Sequence, residues 1–283
     1  MKTVTISGKN VPAIGIGTWH MGDDPAKETQ EIEAIRAGID AGAKVVDTAE
    51  MYGSGNSEIL VGKALAPYER DDIFLISKVL PSNASKAKME QHLDASLERL
   101  NTDYLDLYLY HWRGGTPLSE TINELERLKQ TGKIRAWGVS NFDVADLEEL
   151  WDLPVGKNAA ANEDLYNIET RGIEYDLADW QAKHDLPLIA YSPVGGLHNE
   201  LNTTMLENKV VQEIATAHGV SAHALLLAWV IRDGKTIAIP QSSKAQHVID
   251  NVKAADIELS RDELRRLDKE YPQPGHKVRL AIN

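Results

Sequence analysis

Four side chains able to carry a proton or a charge recur in the first part of the chain: Asp47, Tyr52, Lys78 and His111. Asp47 closes the run Lys-Val-Val, Lys78 follows Ile-Phe-Leu-Ile-Ser, His111 follows Leu-Asp-Leu-Tyr-Leu-Tyr, and Tyr52 opens a Gly-Ser-Gly loop. A lysine on an apolar strand recovers its lost hydration only through acceptors, and Asp47 offers a carboxylate one strand earlier. Drawing a phenol ~2 units below its ordinary pKa near 10 takes ~2.7 kcal/mol. An ammonium ~4 Å away at an effective dielectric of ~20 supplies ~4 kcal/mol, so Lys78 is expected to pull the Tyr52 phenol downward. Such a phenol can protonate a carbonyl oxygen that is becoming an alkoxide, while a neutral His111 donates a hydrogen bond to the same oxygen. The set lacks only a source of hydride.

Singly, each residue has an ordinary explanation: Asp47 as a turn cap, Lys78 as a solvated strand end, His111 as a half-buried histidine, Tyr52 as a packing residue. What joins them is spacing. Asp47 to Lys78 is 31 residues, Lys78 to His111 is 33 and His111 to Ser140 is 29, each the length of one strand and one helix. β-branched and aliphatic runs predict strands at Ala13–Trp19, Lys44–Thr48, Ile73–Val79, Tyr104–Trp112, Ile134–Asn141, Ala159–Leu165, Leu188–Pro193 and Thr236–Ser242. Helical spacing covers Gln30–Ala41, Ser57–Leu65, Lys86–Leu100 and Glu120–Thr131. A hairpin is expected over Val4–Val11. The long interval after Tyr191 should hold a loop at Gly195–Thr204 and helices at Lys209–His218, capped by Ser221 before Ala222–Arg232. A last helix, Ser260–Tyr271, opens on a capping box.

Eight strands alternating with helices close into a barrel or spread into a doubly wound sheet. Gly15-Ile16-Gly17 starts like a dinucleotide turn, but Thr18-Trp19-His20 replaces the third glycine, and no phosphate-binding P-loop occurs. The expected fold is a single-domain (β/α)8 TIM barrel over 1–283, with an N-terminal hairpin and extra C-terminal helices. In such a barrel the carboxyl ends of the strands face the active-site mouth.

Composition narrows the partners. With 42% hydrophobic and 26% charged residues the chain can bury one large core. Thirty Lys+Arg against 43 Asp+Glu give a net charge of −13 without a basic block, which argues against nucleic acid. The absence of cysteine removes thiolate nucleophiles and Cys-ligated zinc. Glu50 and the histidines show no metal-ligand spacing, so metal-assisted hydrolysis on the same barrel has no support and no metal is expected. No apolar leader or membrane-length run appears, so a cytoplasmic protein without a membrane partner is expected.

The chain resembles the aldo-keto reductases along nearly its whole length. The segments that carry the resemblance are Gly15-Ile16-Gly17-Thr18-Trp19, Asp47-Thr48-Ala49-Glu50-Met51-Tyr52-Gly53, Ile76-Ser77-Lys78-Val79, Asp103 to Trp112, Gly132-Lys133-Ile134-Arg135, Trp137-Gly138-Val139-Ser140-Asn141-Phe142 and Ala190-Tyr191-Ser192-Pro193. The resemblance implies a nicotinamide-dependent barrel that reduces aldehydes and ketones, monomeric by default, with Asp47, Tyr52, Lys78 and His111 as its tetrad and Tyr52 as proton donor. It implies that Tyr191, with Ser192 beside it, stacks on the nicotinamide, and that Ser140, Asn141 and Glu163 hold the carboxamide. Thr18 and Trp19 would border the ribose, and Trp19, Tyr52, His111 and Trp112 would line the substrate pocket. Gln241, Ser242, Ser243, Lys244, His247 and Asn251 fall in the segment that resembles the adenosine-phosphate loop.

Three departures shape the expectations. Gln241 and His247 stand where the family commonly has lysine and arginine, removing two cations worth ~1.5–3 kcal/mol each toward a 2′-phosphate. NADPH is then preferred by a reduced margin, with NADH accepted, and Lys244, Ser242 and Ser243 as compensating contacts. Glu163 stands where the family has glutamine: ionised, it favours the oxidised cofactor; protonated, it does not. The short tail, Pro272 to Asn283, points to an open pocket for small carbonyl compounds. The reading from another class is a nicotinamide-nucleotide-binding sensor or regulatory subunit on the same barrel, against which the intact tetrad argues.

Overall fold

The computed structural model describes residues 1–195 and 201–282. Two antiparallel strands, β1 (Thr3–Ile6) and β2 (Lys9–Pro12), form the expected hairpin. Its turn residues Ser7 and Gly8 both have positive φ, 49° and 79°, the left-handed pair that suits a tight hairpin. Val4, Ile6 and Val11 face inward, and Lys9 reaches Asp106 at 3.2 Å, which fixes the hairpin across the amino-terminal ends of the barrel strands.

The barrel strands are β3 (Ile16–Gly17), β4 (Val45–Asp47), β5 (Phe74–Val79), β6 (Leu105–Tyr110), β7 (Ile134–Ser140), β8 (Asn162–Leu165), β9 (Leu188–Tyr191) and β10 (Thr236–Ala238). They pair in chain order, all parallel. A parallel bridge between Ile14 and Ala238 joins first to last. At that seam Gly17 donates to the Pro240 carbonyl at 3.1 Å, and a Cβ on Gly17 would lie 2.6 Å from the Ile239 oxygen. Only glycine permits so close an approach. β5 and β6 are buried at every position, as strands covered on both faces must be. The first and last barrel strands are shorter than expected, because the chain leaves the ladder at Thr18 and at Pro240, which has no N–H to give.

Helices surround this sheet: α1 (Glu28–Ala41), α2 (Asn56–Leu65), α3 (Met89–Leu100), α4 (Leu118–Gln130), α5 (Val144–Trp151), α6 (Leu177–Lys183), α7 (Leu201–Glu207), α8 (Lys209–His218), α9 (Ala222–Val230), α10 (Ala245–Val252) and α11 (Arg261–Glu270). Ser221 caps α9 through Ala224, and Ser260 with Glu263 forms the capping box of α11, both as expected. α5 starts on a second box, Asp143 with Asp146. Of the loop expected at Gly195–Thr204, residues 196–200 lie outside the described residues, and the chain is already helical from Leu201. Among the described residues no helix is long and apolar enough to cross a membrane.

Candidate active site

Asp47 ends β4 and Lys78 lies one residue from the end of β5, so the parallel register sets them side by side at the mouth. Lys78 Nζ donates to both Asp47 oxygens at 2.6 and 2.7 Å, to the Thr48 carbonyl at 3.1 Å and to Tyr52 Oη at 3.3 Å. Tyr52 begins a tight turn in which Gly53, Ser54 and Gly55 all adopt positive φ. A Cβ on Gly55 would meet Arg99 Cδ at 2.7 Å, and Arg99 is itself held at 2.6 Å by the buried Glu58. His111 follows β6, and its ring meets the Tyr52 ring edge-on with centroids 5.9 Å apart. The structure thus brings all four residues together.

A fifth group joins them. Glu163, in β8, places Oε1 3.3 Å from Lys78 Nζ. Lys78, Asp47 and Glu163 are 0, 1 and 2% exposed, so two carboxyls and one ammonium share a site without water. Burial, with Asp47 opposing a second negative charge, lifts Glu163 well above the carboxylate range. Burial raises Asp47 too, against the pull of Lys78. Asp47, with both oxygens on the ammonium, is the carboxyl that Lys78 holds more closely. For Lys78, burial works against the charge, but Asp47 and Glu163 outweigh it and hold the ammonium above its ordinary range.

This arrangement corrects the expectation for Tyr52. Burial raises the phenol, Lys78 opposes, and Asp47 and Glu163 raise it further, so its pKa lies above 10. An ammonium already paired with a carboxylate is a weak attractor for a phenolate, and the earlier sum treated it as a lone charge. His111 is pushed down to about 2 by burial and by Lys78, so its imidazole is neutral. Its Nδ1 is buried and has no hydrogen-bond partner among the described residues.

Beside the tetrad, Asn141 adopts φ 58°, a left-handed conformation that asparagine tolerates, directly after β7. Its amide donates to the His111 carbonyl (3.1 Å) and to Ser140 Oγ (3.0 Å), and its Oδ1 accepts from Tyr191 Oη (2.8 Å). Ser140 Oγ donates to the Glu163 carbonyl at 2.9 Å. Thr18, buried, donates to the Asp47 carbonyl at 2.8 Å and accepts from Ser57.

Two cavities meet at Tyr52. The larger, about 490 Å³, runs from Thr18, Trp19, Asp47 and Tyr52 past Tyr191 and Ser192 to Gln241, Ser242, His247 and Asn251. The smaller, about 70 Å³, is walled by Trp19, Met51, Tyr52, His111, Trp112, Ser140, Asn141, Glu163, Tyr191 and Ile282. Ser243 and Lys244 line neither: the Ser243 carbonyl is taken by Gln30 at 2.7 Å, and Lys244 is exposed ahead of α10. The tail is not simply short. Lys277 pairs with Asp143 (2.5 Å) and Asp176 (2.6 Å), and Ile282 comes to lie on the small pocket. Ile282, Met51, His223 and Asp250 were not foreseen, since nothing in an exposed tail or a helix start marks it in sequence as cavity wall. Glu50, considered only as a metal ligand, instead accepts from the Leu80 amide (2.7 Å) and Asn83 (3.0 Å) and pairs with His92 (2.7 Å), tying the Tyr52 loop to the chain beyond β5. Among the described residues no three His, Cys, Asp or Glu side chains group as metal ligands.

The sequence profile of the Aldo/keto reductase family matches residues 13–271. The chain is 48% identical over 282 residues to the methylglyoxal reductase YeaE of Escherichia coli, covering 99% of each protein, and 31% identical over 264 residues to the glyoxal reductase of Bacillus subtilis, covering 93% and 90%. It matches the aldo/keto reductase of Klebsiella pneumoniae solved with NADP and acetate at a TM-score of 0.97 and 47% identity, over 100% of this chain and 99% of that one. The chain belongs to the aldo/keto reductase family.

Proposed function

We propose that this protein is an NADPH-dependent carbonyl reductase that converts small aldehydes and ketones, 2-oxoaldehydes of the methylglyoxal and glyoxal type foremost, to alcohols with Tyr52 as general acid. One observation carries the reading: Tyr52, held by Lys78 and Asp47, stands where a cavity of nucleotide size meets a small apolar one. Two of the relatives are named as reductases of methylglyoxal and glyoxal, and two matching Klebsiella pneumoniae structures carry NADP or NADPH.

The residues present fit that cofactor. The larger cavity lies within the ~300–1,000 Å³ range of ligand sites, with the Tyr191 ring on its wall. Asn141 Oδ1 and Ser140 Oγ each keep acceptor capacity for a carboxamide N–H, and Glu163 Oε2 is a buried oxygen without a partner among the described residues. When bound, reduced nicotinamide supplies the two electrons and one hydrogen that saturate the carbonyl carbon. The protein supplies the rest. Trp19, Trp112 and Ile282 exclude water from the carbonyl, and His111 donates one hydrogen bond to its oxygen. Tyr52 Oη gives that oxygen its proton. The phenolate left behind lies 3.3 Å from Lys78 Nζ, whose position Asp47 fixes. A phenol raised above 10 remains a competent acid for this step, because an alkoxide, like hydroxide against water at ~15.7, is the stronger base.

The same reading covers a single barrel domain working as a cytoplasmic monomer, and acceptance of NADH at lower efficiency. The test is NADPH consumption with methylglyoxal, glyoxal and a bulky apolar aldehyde. Turnover of the small dicarbonyls is expected. Cofactor binding, seen as fluorescence quenching, without turnover of any of them would favour the sensor reading.

A further inference from the structure

Tyr52 is held only loosely by its own hydroxyl. Among the described residues the one hydrogen bond to Tyr52 Oη comes from Lys78 at 3.3 Å, a long contact for so short a list of partners. The place of the phenol is therefore set by its loop, where Gly53, Ser54 and Gly55 all have positive φ. Ser54 lacks glycine's freedom, and a turn strained in this way persists only where its surroundings hold it.

The hold comes from α3. His92, Ser96 and Arg99 stand at i, i+4 and i+7 and so share one face of that helix. Beyond the turn, Arg99 Nε donates to Glu58 Oε2 at 2.6 Å, and Arg99 leaves no room for a Cβ on Gly55. Ahead of the turn, His92 Nδ1 meets Glu50 Oε2 at 2.7 Å. Glu50 Oε1 accepts from the Leu80 amide at 2.7 Å and from Asn83 Nδ2 at 3.0 Å. Every side-chain partner of Glu50 thus lies outside its own loop, and its side chain is 5% exposed. Removing a buried group with three partners leaves those partners unsatisfied. Neither Glu50 nor His92 lines either of the two cavities that meet at Tyr52, whereas Met51 and Tyr52 both wall the small one.

We propose that Glu50 is a positioning residue for the proton donor, with His92 as its brace: the pair holds the turn so that Tyr52 Oη meets the carbonyl oxygen. The inference rests on the reading of Tyr52 as general acid. Glu58 has its charge matched by Arg99, but Glu50 has no lysine or arginine partner among the described residues. Its contribution is geometric, and a glutamine of the same shape can accept both amide N–H bonds and offer its own N–H to the imidazole. A general acid must lie within ~2.6–3.2 Å of its target, and a misplacement of ~1 Å can cost ~10²-fold.

Single-turnover reduction of methylglyoxal by the NADPH-loaded full chain at pH 7, run as a double-mutant cycle, tests this. Glu50→Ala should slow the step by ~10 to 100-fold, while the NADPH dissociation constant, read by fluorescence quenching, stays within about twofold. In Tyr52→Phe, which has no hydroxyl left to misplace, the same substitution should cost less than about threefold. Glu50→Gln should recover most of the loss. Should Glu50→Ala fail to fold, His92→Ala carries the same cycle, since the His92 side chain is 35% exposed. A native rate in the alanine variant overturns the inference, as does an equal loss in both backgrounds with an unchanged circular dichroism spectrum, which would make Glu50 a residue of the fold alone. A glutamine variant as slow as the alanine one also overturns it, because the charge and not the hold would then matter. A near-native rate in Tyr52→Phe itself would instead remove the general-acid reading, and this inference with it.

Discussion

Glu163→Gln isolates the charge balance of the site. In the unfolded chain a glutamate titrates near ~4.3; in the fold Glu163 is raised well above that, by burial first and by Asp47 second. The folded protein therefore keeps a proton that the unfolded chain releases, and stability declines as pH rises from ~4.3 toward the raised value. The loss is at most ~1.4 kcal/mol per pH unit, or ~2.7 kcal/mol from pH 5 to 7. Glutamine offers an N–H donor and a carbonyl acceptor in nearly the same shape and has no proton to hold. Its stability relative to the native protein should thus climb by ~1–3 kcal/mol over that interval, while titrations elsewhere cancel in the difference. At ~2–4 °C per kcal/mol this is roughly 2–10 °C in relative Tm, readable by calorimetry or urea unfolding at pH 5, 6 and 7. Parallel stability curves for the two proteins would refute a protonated Glu163. The same raised pKa bears on the alternative left open in the sequence: with Glu163 protonated, a neutral group replaces a neutral group, and the NADPH to NADP+ affinity ratio at pH 7 should stay within about twofold. A clear tightening of the reduced form would point to an ionised carboxylate.

Other consequences are more direct. With His111 neutral down to about 2 and Tyr52 protonated beyond its ordinary range, carbonyl reduction at saturating NADPH should stay flat from pH 6 to 9; a limb near 6.5 assigned to His111 by its removal would contradict this. Gly17→Ala should cost ~1–3 kcal/mol in urea unfolding, since the new methyl meets the Ile239 carbonyl at the barrel seam; an unchanged midpoint would mean the seam yields. Ile282→Ala should raise KM for bulky apolar aldehydes several-fold while sparing methylglyoxal, because Ile282 walls the small pocket; equal KM values for both substrates would place the tail outside the substrate's reach.

The barrel was legible because its signal is repeated: eight apolar runs separated by helical spacing, with polar residues at 29 to 33-residue intervals. That Asp47, Tyr52, Lys78 and His111 come together was legible for a related reason, since parallel strands end on one rim and carry their last residues and following loops to it. What stayed hidden depends on three-dimensional neighbours. The sign of the Tyr52 shift follows from Asp47 and Glu163 converging on Lys78, which brings together residues 47, 78 and 163 from three strands. The raised pKa of Glu163 follows first from its burial, which depends on the packed barrel mouth. Ser243 and Lys244 lie in the loop that leads into α10 but outside the walls of both cavities, and Gln30 of α1 holds the Ser243 carbonyl, a contact between segments 213 residues apart. Ile282 reaches the pocket from a tail that Lys277 ties to Asp143 and Asp176 and that Leu280 packs against the core.

Pre-steady-state reduction of methylglyoxal by Tyr52→Phe, with NADPH affinity measured on the same sample, bears on the proton-donor assignment without intermediaries. The phenol's removal should slow the chemical step by at least ~10²-fold, the contribution of a positioned general acid, with NADPH bound as before. A near-native rate would mean that the proton comes from elsewhere.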